Sequence, residues 1–386
     1  METSAFDRGV EMKTRKMVSL CVVALFLVAL CRLGANAAVT GDCVNCHTMH
    51  NSQAGEVQTE DKDGNPLETA QLNLLVSDCL GCHSNMTSTA TIIPIGSGDT
   101  SRVPIVLTAD EPVYPPDGSA SSVLAGGSFY WVAQGDDSKG HNVFGIRANP
   151  VDAALAKAPG GTVNCDPCHA TLASEESGGC RGCHFPAHHV DDGNATDAAD
   201  SGDGWYRFLT GASMTAYRDS TKTRMELLAL NGVSGLEDPD WEQNPAAAHN
   251  VYKGTTVRYA SADGNGNVRY NSIGAFCSGC HSDFHHKKSD DGGMEESGVW
   301  IRHPSDVLLP DTAEYAGYSY TSLAPVAYDD VAAETNAVVT CLSCHRPHGS
   351  PYPDMLRWDY QNDCIAGTTD SEENPCGCFS CHTEKD

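Results

Sequence analysis

Residues 38–386 are predicted to fold as one elongated unit, mostly irregular loops with short helices and few short strands, wrapped around a stack of covalently attached planar groups. Three observations predict this: a turn-rich composition, a cysteine–histidine motif repeated seven times, and a set of other histidines whose number matches the repeat. The 386 residues include 37 Gly, 19 Pro and 18 Cys. So many turn-forming residues beside so many thiols call for something other than an apolar side-chain core to hold the chain together.

The N-terminus reads as an export signal. Lys13, Arg15 and Lys16 precede an apolar run from Met17 to Leu30, and Ala35-Asn36-Ala37 supplies the small-residue cleavage pattern. The run is shorter than the roughly 20 residues of a spanning helix, and no later stretch is apolar enough to replace it. Residues 1–37 are therefore expected to be a signal peptide, leaving residues 38–386 secreted through the periplasm to the cell surface or beyond, with no stable membrane span. Removing the signal takes five basic and three acidic residues, which moves the net charge from −27 to −29. Such acidity excludes nucleic acid as a natural partner and suits cationic partners, oxidised metal ions or mineral surfaces.

The repeated motif is C-x-x-C-H. It occurs as Cys43/Cys46/His47, Cys79/Cys82/His83, Cys165/Cys168/His169, Cys180/Cys183/His184, Cys277/Cys280/His281, Cys341/Cys344/His345 and Cys378/Cys381/His382. Two thiols one turn apart can add to the two vinyl groups of a haem, and the following imidazole then turns onto its iron as the proximal ligand. Structural zinc and thioredoxin-like chemistry also use C-x-x-C, but neither needs His directly after the second Cys. With only 16 His in the chain, finding one after all seven units is not chance. The sequence thus predicts seven haem c groups and a multihaem cytochrome c fold, in which macrocycles take the place of most of the core. Cys21 and Cys31 leave with the signal. Cys364 and Cys376 remain, and a disulfide between them suits an oxidising compartment. Cys376 and Cys381 could also form a longer C-x-x-x-x-C-H attachment; Cys378 keeps the spacing of the other six.

Nine further histidines are left: His50, His141, His188, His189, His249, His285, His286, His303 and His348. Taking one from each adjacent pair leaves seven distal candidates for seven irons, written here as His50, His141, His188, His249, His285, His303 and His348. This count predicts bis-histidine ligation throughout, with lower potentials than His/Met ligation. Met49, Met86, Met214, Met225, Met294 and Met355 show no matching pattern and are read as packing residues. His141, His249 and His303 stand alone in long motif-free stretches that look like ligand-delivering arms. His50, His188, His285 and His348 follow a proximal His by three or four residues. In a helix such residues share a face, so each is expected to ligate a neighbouring haem and force close haem contact.

Three smaller elements are readable. Thr255–Ala260 and Asn267–Asn271 flank a turn at Asp263-Gly264-Asn265-Gly266 and predict a hairpin. Ser128–Ala133 (SFYWVA) predicts a short strand. Asp191–Gly204 lacks the ordered ligand spacing of a calcium loop and reads as a solvated loop.

Several local sequences carry a family resemblance: CVNCHTMHNS (43–52), GHN (140–142), CSGCHSDFH (277–285) with RHP (302–304), CLSCHRPHG (341–349) and the terminal CFSCHTEKD. They resemble the extracellular multihaem c-type cytochromes that polymerise into filaments, the cytochrome nanowires of metal-respiring bacteria. The resemblance implies a continuous stack of bis-histidine haems along a homopolymer, with His50 ligating a haem of the adjacent subunit. Other cytochromes and extracellular electron acceptors such as metal oxides are the further partners it implies.

Three functions compete on this reading. An electron-conducting filament subunit comes first, and a monomeric periplasmic or surface shuttle shares its haem chemistry. A multihaem reductase would need an iron with an open position, often marked by a departure such as Lys for the proximal His. All seven motifs end in His, so no catalytic residue is assigned and the chain is expected to be an electron carrier, not an enzyme.

Overall fold

The computed structural model describes residues 52–53, 56–57, 79–95, 101–114, 123–146, 172, 179–184, 206–209, 233–236, 238, 249–254, 272–277, 280–281, 303, 305–316, 318–364 and 376–383. Chain contacts divide the protein into Met1–Ala37 and Ala38–Asp386, and the described residues all lie in the second unit. The expected 255–271 hairpin and the 191–204 loop fall outside them.

Among the described residues, irregular chain joins elements of two to five residues. The hairpin β1 (Ser52–Gln53) and β2 (Glu56–Val57) comes first, followed by helix α1 (Cys79–His83), which carries the whole second motif. The chain runs straight from α1 into β3 (Ser84–Asn85). Strands β4 (Ile92–Ile95) and β5 (Ser101–Pro104) form an antiparallel pair, and β6 (Leu107–Thr108) returns parallel to β3. Leu80 of α1 packs with Leu107, Phe129, Val132, Val143 and Ile146 in a small buried cluster that Met86 and Cys180 flank.

The strand expected at Ser128–Ala133 is instead a single helical turn, α2 (Tyr130–Ala133). Ser128 Oγ accepts the Tyr130 N–H at 3.2 Å, which starts the turn, and Gly135 at φ +103° ends it. Trp131 and Val132 are both buried, and adjacent residues of a strand would point to opposite faces. Two-sided burial together with these end signals outweighs the aromatic and β-branched preference for strand.

A five-stranded sheet organises the C-terminal half in the order β7–β8–β10–β11–β9. Its members are β7 (Gly235–Leu236), β8 (Val251–Lys253), β9 (Val307–Leu308), β10 (Ala327–Asp330) and β11 (Thr335–Val339). The β10–β11 hairpin pairs Ala327 with Val338, and Asp330 Oδ1 closes its turn by accepting from Ala332 N and Ala333 N. Tyr252, Ala327 and Val338 are fully buried beside Val233, Ile273 and Tyr206. Helix α3 (Ile273–Cys277) docks here and ends on the first cysteine of the fifth motif. Helix α4 (Cys341–Cys344) follows β11 directly, with Thr340 as its N-cap residue, whose N–H donates to the Ser343 hydroxyl at 3.0 Å.

The tail of the sixth motif is clasped between two loops. His348 N donates to Gly126 O at 2.8 Å, Ser128 N donates to Gly349 O at 3.1 Å, and Ser350 N donates to Lys139 O at 3.0 Å. Arg346 is buried, and its Nη1 donates to the Leu124 and Ala125 carbonyls at 2.9 and 3.0 Å. Gly127 sits at φ +89°, and a Cβ there would overlap the Gly349 carbonyl oxygen. Gly135 has a similar φ with open space around it, which separates strain from overlap. Gly135→Ala is expected to cost about 1–2 kcal/mol of left-handed strain. Gly127→Ala is expected to cost more and to split the clasp; thermal melting of the two variants measures the difference.

Candidate haem-binding sites

Five of the seven motifs fall wholly or largely within the described residues. The first (Cys43, Cys46, His47) and third (Cys165, Cys168, His169) lie outside them, as do His50, His188, His189, His285 and His286. The five described motifs start on short helical pieces. These are α1, α3, α4, the 3₁₀ turn Gly179–Gly182 and the 3₁₀ turn Gly377–Ser380. In the motif turns the backbone closes on the first cysteine: His184 N, His281 N, His345 N and His382 N each donate to the carbonyl of their Cys at 2.8–3.0 Å. The second cysteine joins this closure. Cys183 N, Cys280 N and Cys381 N donate to the carbonyls of Cys180, Cys277 and Cys378 at 3.2 Å, and Cys82 lies inside α1. One closed turn brings both thiols and the imidazole to the same side of the chain.

Cys79, Cys82, Cys180, Cys183, Cys277, Cys280, Cys341, Cys344, Cys378 and Cys381 are partly buried, each outside any disulfide, and the closed turn pairs the two sulfurs of a motif as attachment to the two vinyl groups of a haem requires.

Each imidazole is then aimed by its second nitrogen. Nδ1 lies 2.7 Å from Pro104 O in His83, 2.8 Å from Arg207 O in His184, and 2.7 Å from Asp354 O in His345. His141 does the same against Pro347 O at 2.7 Å. A backbone carbonyl can only accept, so these contacts put the proton on Nδ1 and leave Nε2 as the lone-pair donor. Burial, with repulsion from His281, holds His141 neutral down to about 4. Burial, with repulsion from His184 and His141, does so for His348 down to about 3. His184 and His345 are lowered by burial as well. Neutral imidazoles are what a metal needs.

Three ring pairs test whether these residues fit a haem iron. His184 and His348 have centroids 6.0 Å apart, His141 and His281 6.1 Å, and His303 and His382 6.3 Å. A metal–imidazole bond of about 2.0 Å, with the nitrogen about 1.1 Å from its ring centre, puts two rings on opposite sides of one metal about 6.2 Å apart. Every pair joins one motif histidine to one distal candidate. The residues fit the group.

The expected helical path from His345 to His348 is not present. Chain direction changes at His345 (φ −116°, ψ 150°), where α4 ends, because Pro347 disfavours helical backbone at Arg346. His348 still faces away from its own motif, toward the fourth. His249 is differently placed: its ring stacks on Tyr320 at 3.5 Å, Nδ1 lies 3.1 Å from Asn250 O, and Nε2 lies 3.4 Å from Glu334 Oε2. Ligation through Nε2 would take that edge from Glu334. The sheet positions two of the three expected arms, since His249 leads into β8 and His303 lies just ahead of β9; the third, His141, is held by the Pro347 carbonyl.

Successive sites adjoin. The Cys277 thiol hydrogen-bonds Cys341, which, with burial, pushes it well above the usual thiol range. Cys344 and Cys378 flank one buried cluster with Leu323, Ala324 and Trp358, and burial pushes Cys344 up to about 12.

Cys364 and Cys376 form a disulfide, so Cys376 is not free for the longer attachment and Cys378 is left to the seventh motif. The sulfurs of Cys364, Cys376 and Cys378 lie within 4.8 Å of one another. Two of them are bonded to each other, so the group offers a metal a single thiol. Sequence reasoning missed the carbonyls that aim the imidazoles, which have no sequence signal, and Arg346 and Arg357. Arg357 is fully buried, donating to the Leu342 and Ser322 carbonyls at 2.6 and 3.0 Å.

A repeated haem-attachment turn, carbonyl-aimed imidazoles and a loop-dominated fold with short elements are the features a multihaem c-type cytochrome requires. The doubled CXXCH motif family matches residues 334–386, which hold the sixth and seventh motifs. The chain is similar to the C-type cytochrome OmcS of Geobacter sulfurreducens, 27% identical over 409 residues that cover 90% of this chain and 86% of that protein. The resemblance to filament-forming cytochromes therefore runs along most of the chain. Among solved structures it is similar to the Outer Membrane Cytochrome S filament of the same organism, at 22% identity and TM-score 0.48 over 83% of this chain and 84% of that one. It is likewise similar to the cryo-EM structure of the OmcS nanowires, at 22% identity and TM-score 0.47 over 88% of each chain. Among the described residues no helix is long and apolar enough to cross a membrane.

The disulfide closes a loop with a sequence separation of 12. Replacing both Cys364 and Cys376 with Ser is expected to lower stability by about 3 kcal/mol, measured by guanidinium unfolding of the haem-loaded protein.

Proposed function

We propose that residues 38–386 form one unit holding seven haem c groups, each clamped by two histidines, and that it is the exported subunit of an extracellular filament carrying electrons to external acceptors such as metal oxides. The observation that carries this reading is the separation of the three histidine pairs, 6.0, 6.1 and 6.3 Å. Residues 1–37 act as the signal peptide. The proximal ligands are His47, His83, His169, His184, His281, His345 and His382; the distal ligands are His50, His141, His188, His249, His285, His303 and His348.

Bound haem supplies the redox chemistry, by interconverting ferric and ferrous iron. The chain's own residues do the rest. Cysteine pairs such as Cys79/Cys82, Cys180/Cys183 and Cys277/Cys280 would fix the macrocycles covalently, and backbone carbonyls hold His83, His141, His184 and His345 in the ligating tautomer. Two imidazoles per iron leave no position for a substrate, which supports electron transfer over catalysis. The +3 spacing of His345 and His348, with His348 set against His184, draws the fourth and sixth sites together. His141, tied to Pro347 and set against His281, draws in the fifth. Similarity to a protein whose solved form is a filament supports polymerisation, and His50 reaching a haem of the adjacent subunit would continue the path between copies.

Purified protein is expected to give seven irons per chain in a pyridine haemochrome assay, with an all-low-spin oxidised spectrum; far fewer irons would end the proposal. His348→Ala is expected to turn about one-seventh of that spectrum high-spin, while His348→Met keeps it low-spin and raises the potential of one haem. For assembly, negative-stain images of sheared surface material should show filaments, and His50→Ala should leave free subunits with the other haems loaded.

A further inference from the structure

Among the described motif histidines, His382 is oriented differently from His83, His184 and His345. His83, His184 and His345 present Nδ1 to neutral backbone carbonyls. His382 presents Nδ1 to a carboxylate: Glu314 Oε2 lies 3.4 Å away. The Nδ1 atom is buried and makes no hydrogen bond of ordinary geometry, so it is a donor with an anion in front of it.

The carboxylate is held there by its surroundings. Glu314 lies in the 3₁₀ turn Ala313–Tyr315. Its carbonyl accepts from both the N–H of Thr383, at 3.2 Å, and the Thr383 hydroxyl. That pins the residue next to His382 onto Glu314. Tyr315 lies beside the same carboxylate, which raises its hydroxyl above the ordinary value, and its ring stands 5.3 Å from the His382 ring at 63°. The Glu314 side chain is 16% exposed, so water screens the interaction little.

We propose that Glu314 is a positioning residue that lowers the potential of the haem held by His303 and His382 below those of the haems whose histidines face backbone carbonyls. This rests on the bis-histidine reading above. A donor bonded to an anion pushes electron density through the imidazole to Nε2. Closing 3.4 Å to the 2.7–2.9 Å of a charge-assisted bond takes a shift of about half an ångström. A more electron-rich ligand stabilises ferric iron, the higher-charged state, and the carboxylate's own charge acts in the same direction. Electrons are then held least tightly at the seventh site and favour passing to the sixth, whose Cys344 flanks the same buried cluster as Cys378.

Spectroelectrochemical titration of the full haem-loaded chain tests this with Glu314→Gln. Glutamine keeps the backbone contacts to Thr383 and an oxygen for Nδ1–H, and removes the charge. One component, the lowest, is expected to move to higher potential, with the others unchanged and haem content and low-spin spectrum retained. Tyr315→Phe is expected to move the same component lower, because the hydroxyl no longer draws density from the carboxylate. If Glu314→Gln fails to accumulate, Tyr315→Phe decides alone: a downward shift supports the role and no shift overturns it. Unchanged potentials in a fully loaded, low-spin Glu314→Gln would overturn the tuning role and leave bis-histidine ligation standing. A high-spin signal in the unmodified protein would overturn the ligation itself.

Discussion

Histidine rings brought in pairs to about 6 Å from one another are the constraint on which the rest of this structure depends. Each pair needs a motif histidine aimed by a local turn and a second histidine delivered from elsewhere in the chain. His348 reaches His184 across more than 160 residues of sequence, and His141 reaches His281 across 140. Loops of that length order only if their ends are pinned, since closure entropy must be offset by contacts. The clasp around Arg346–Ser350 supplies them: its backbone bonds to Gly126, Ser128 and Lys139 fix His348, and the Pro347 carbonyl fixes His141.

Small cores act as brackets for these ligands. The Leu80–Leu107–Phe129–Val132 cluster sits under the second motif, and Phe129 also stacks on the His348 ring at 4.7 Å. The five-stranded sheet brackets the C-terminal sites. Packing in this protein therefore orients histidines more than it fills volume, which agrees with a composition too rich in glycine and proline for a conventional core.

Burial gives the sites a common electrostatic character. His141, His184, His345 and His348 are all pushed toward the neutral form. Two buried guanidiniums, Arg346 and Arg357, lie in the same region and share the Ala125 carbonyl. They give this region a local positive charge inside a strongly acidic chain. The surroundings of the motif histidines also differ in charge, with a neutral carbonyl at His345 and a carboxylate at His382.

The chemistry was legible in the sequence because it is local: C-x-x-C-H is one turn of chain, and its meaning does not depend on anything distant. The repeated motif was enough to read a haem-binding chain with a loop-rich fold, and the matching histidine count is what the bis-histidine proposal starts from. The Ser128–Ala133 segment was misread because end signals and two-sided burial, not residue preference, decided its shape. Which histidine faces which motif was not legible, since pairing is set by where loops return and not by spacing: His348 meets the fourth motif, not a sequence neighbour. The carbonyls behind His83, His141, His184 and His345 and the carboxylate at His382 likewise belong to the tertiary structure, because they join groups that only folding brings within a few ångströms.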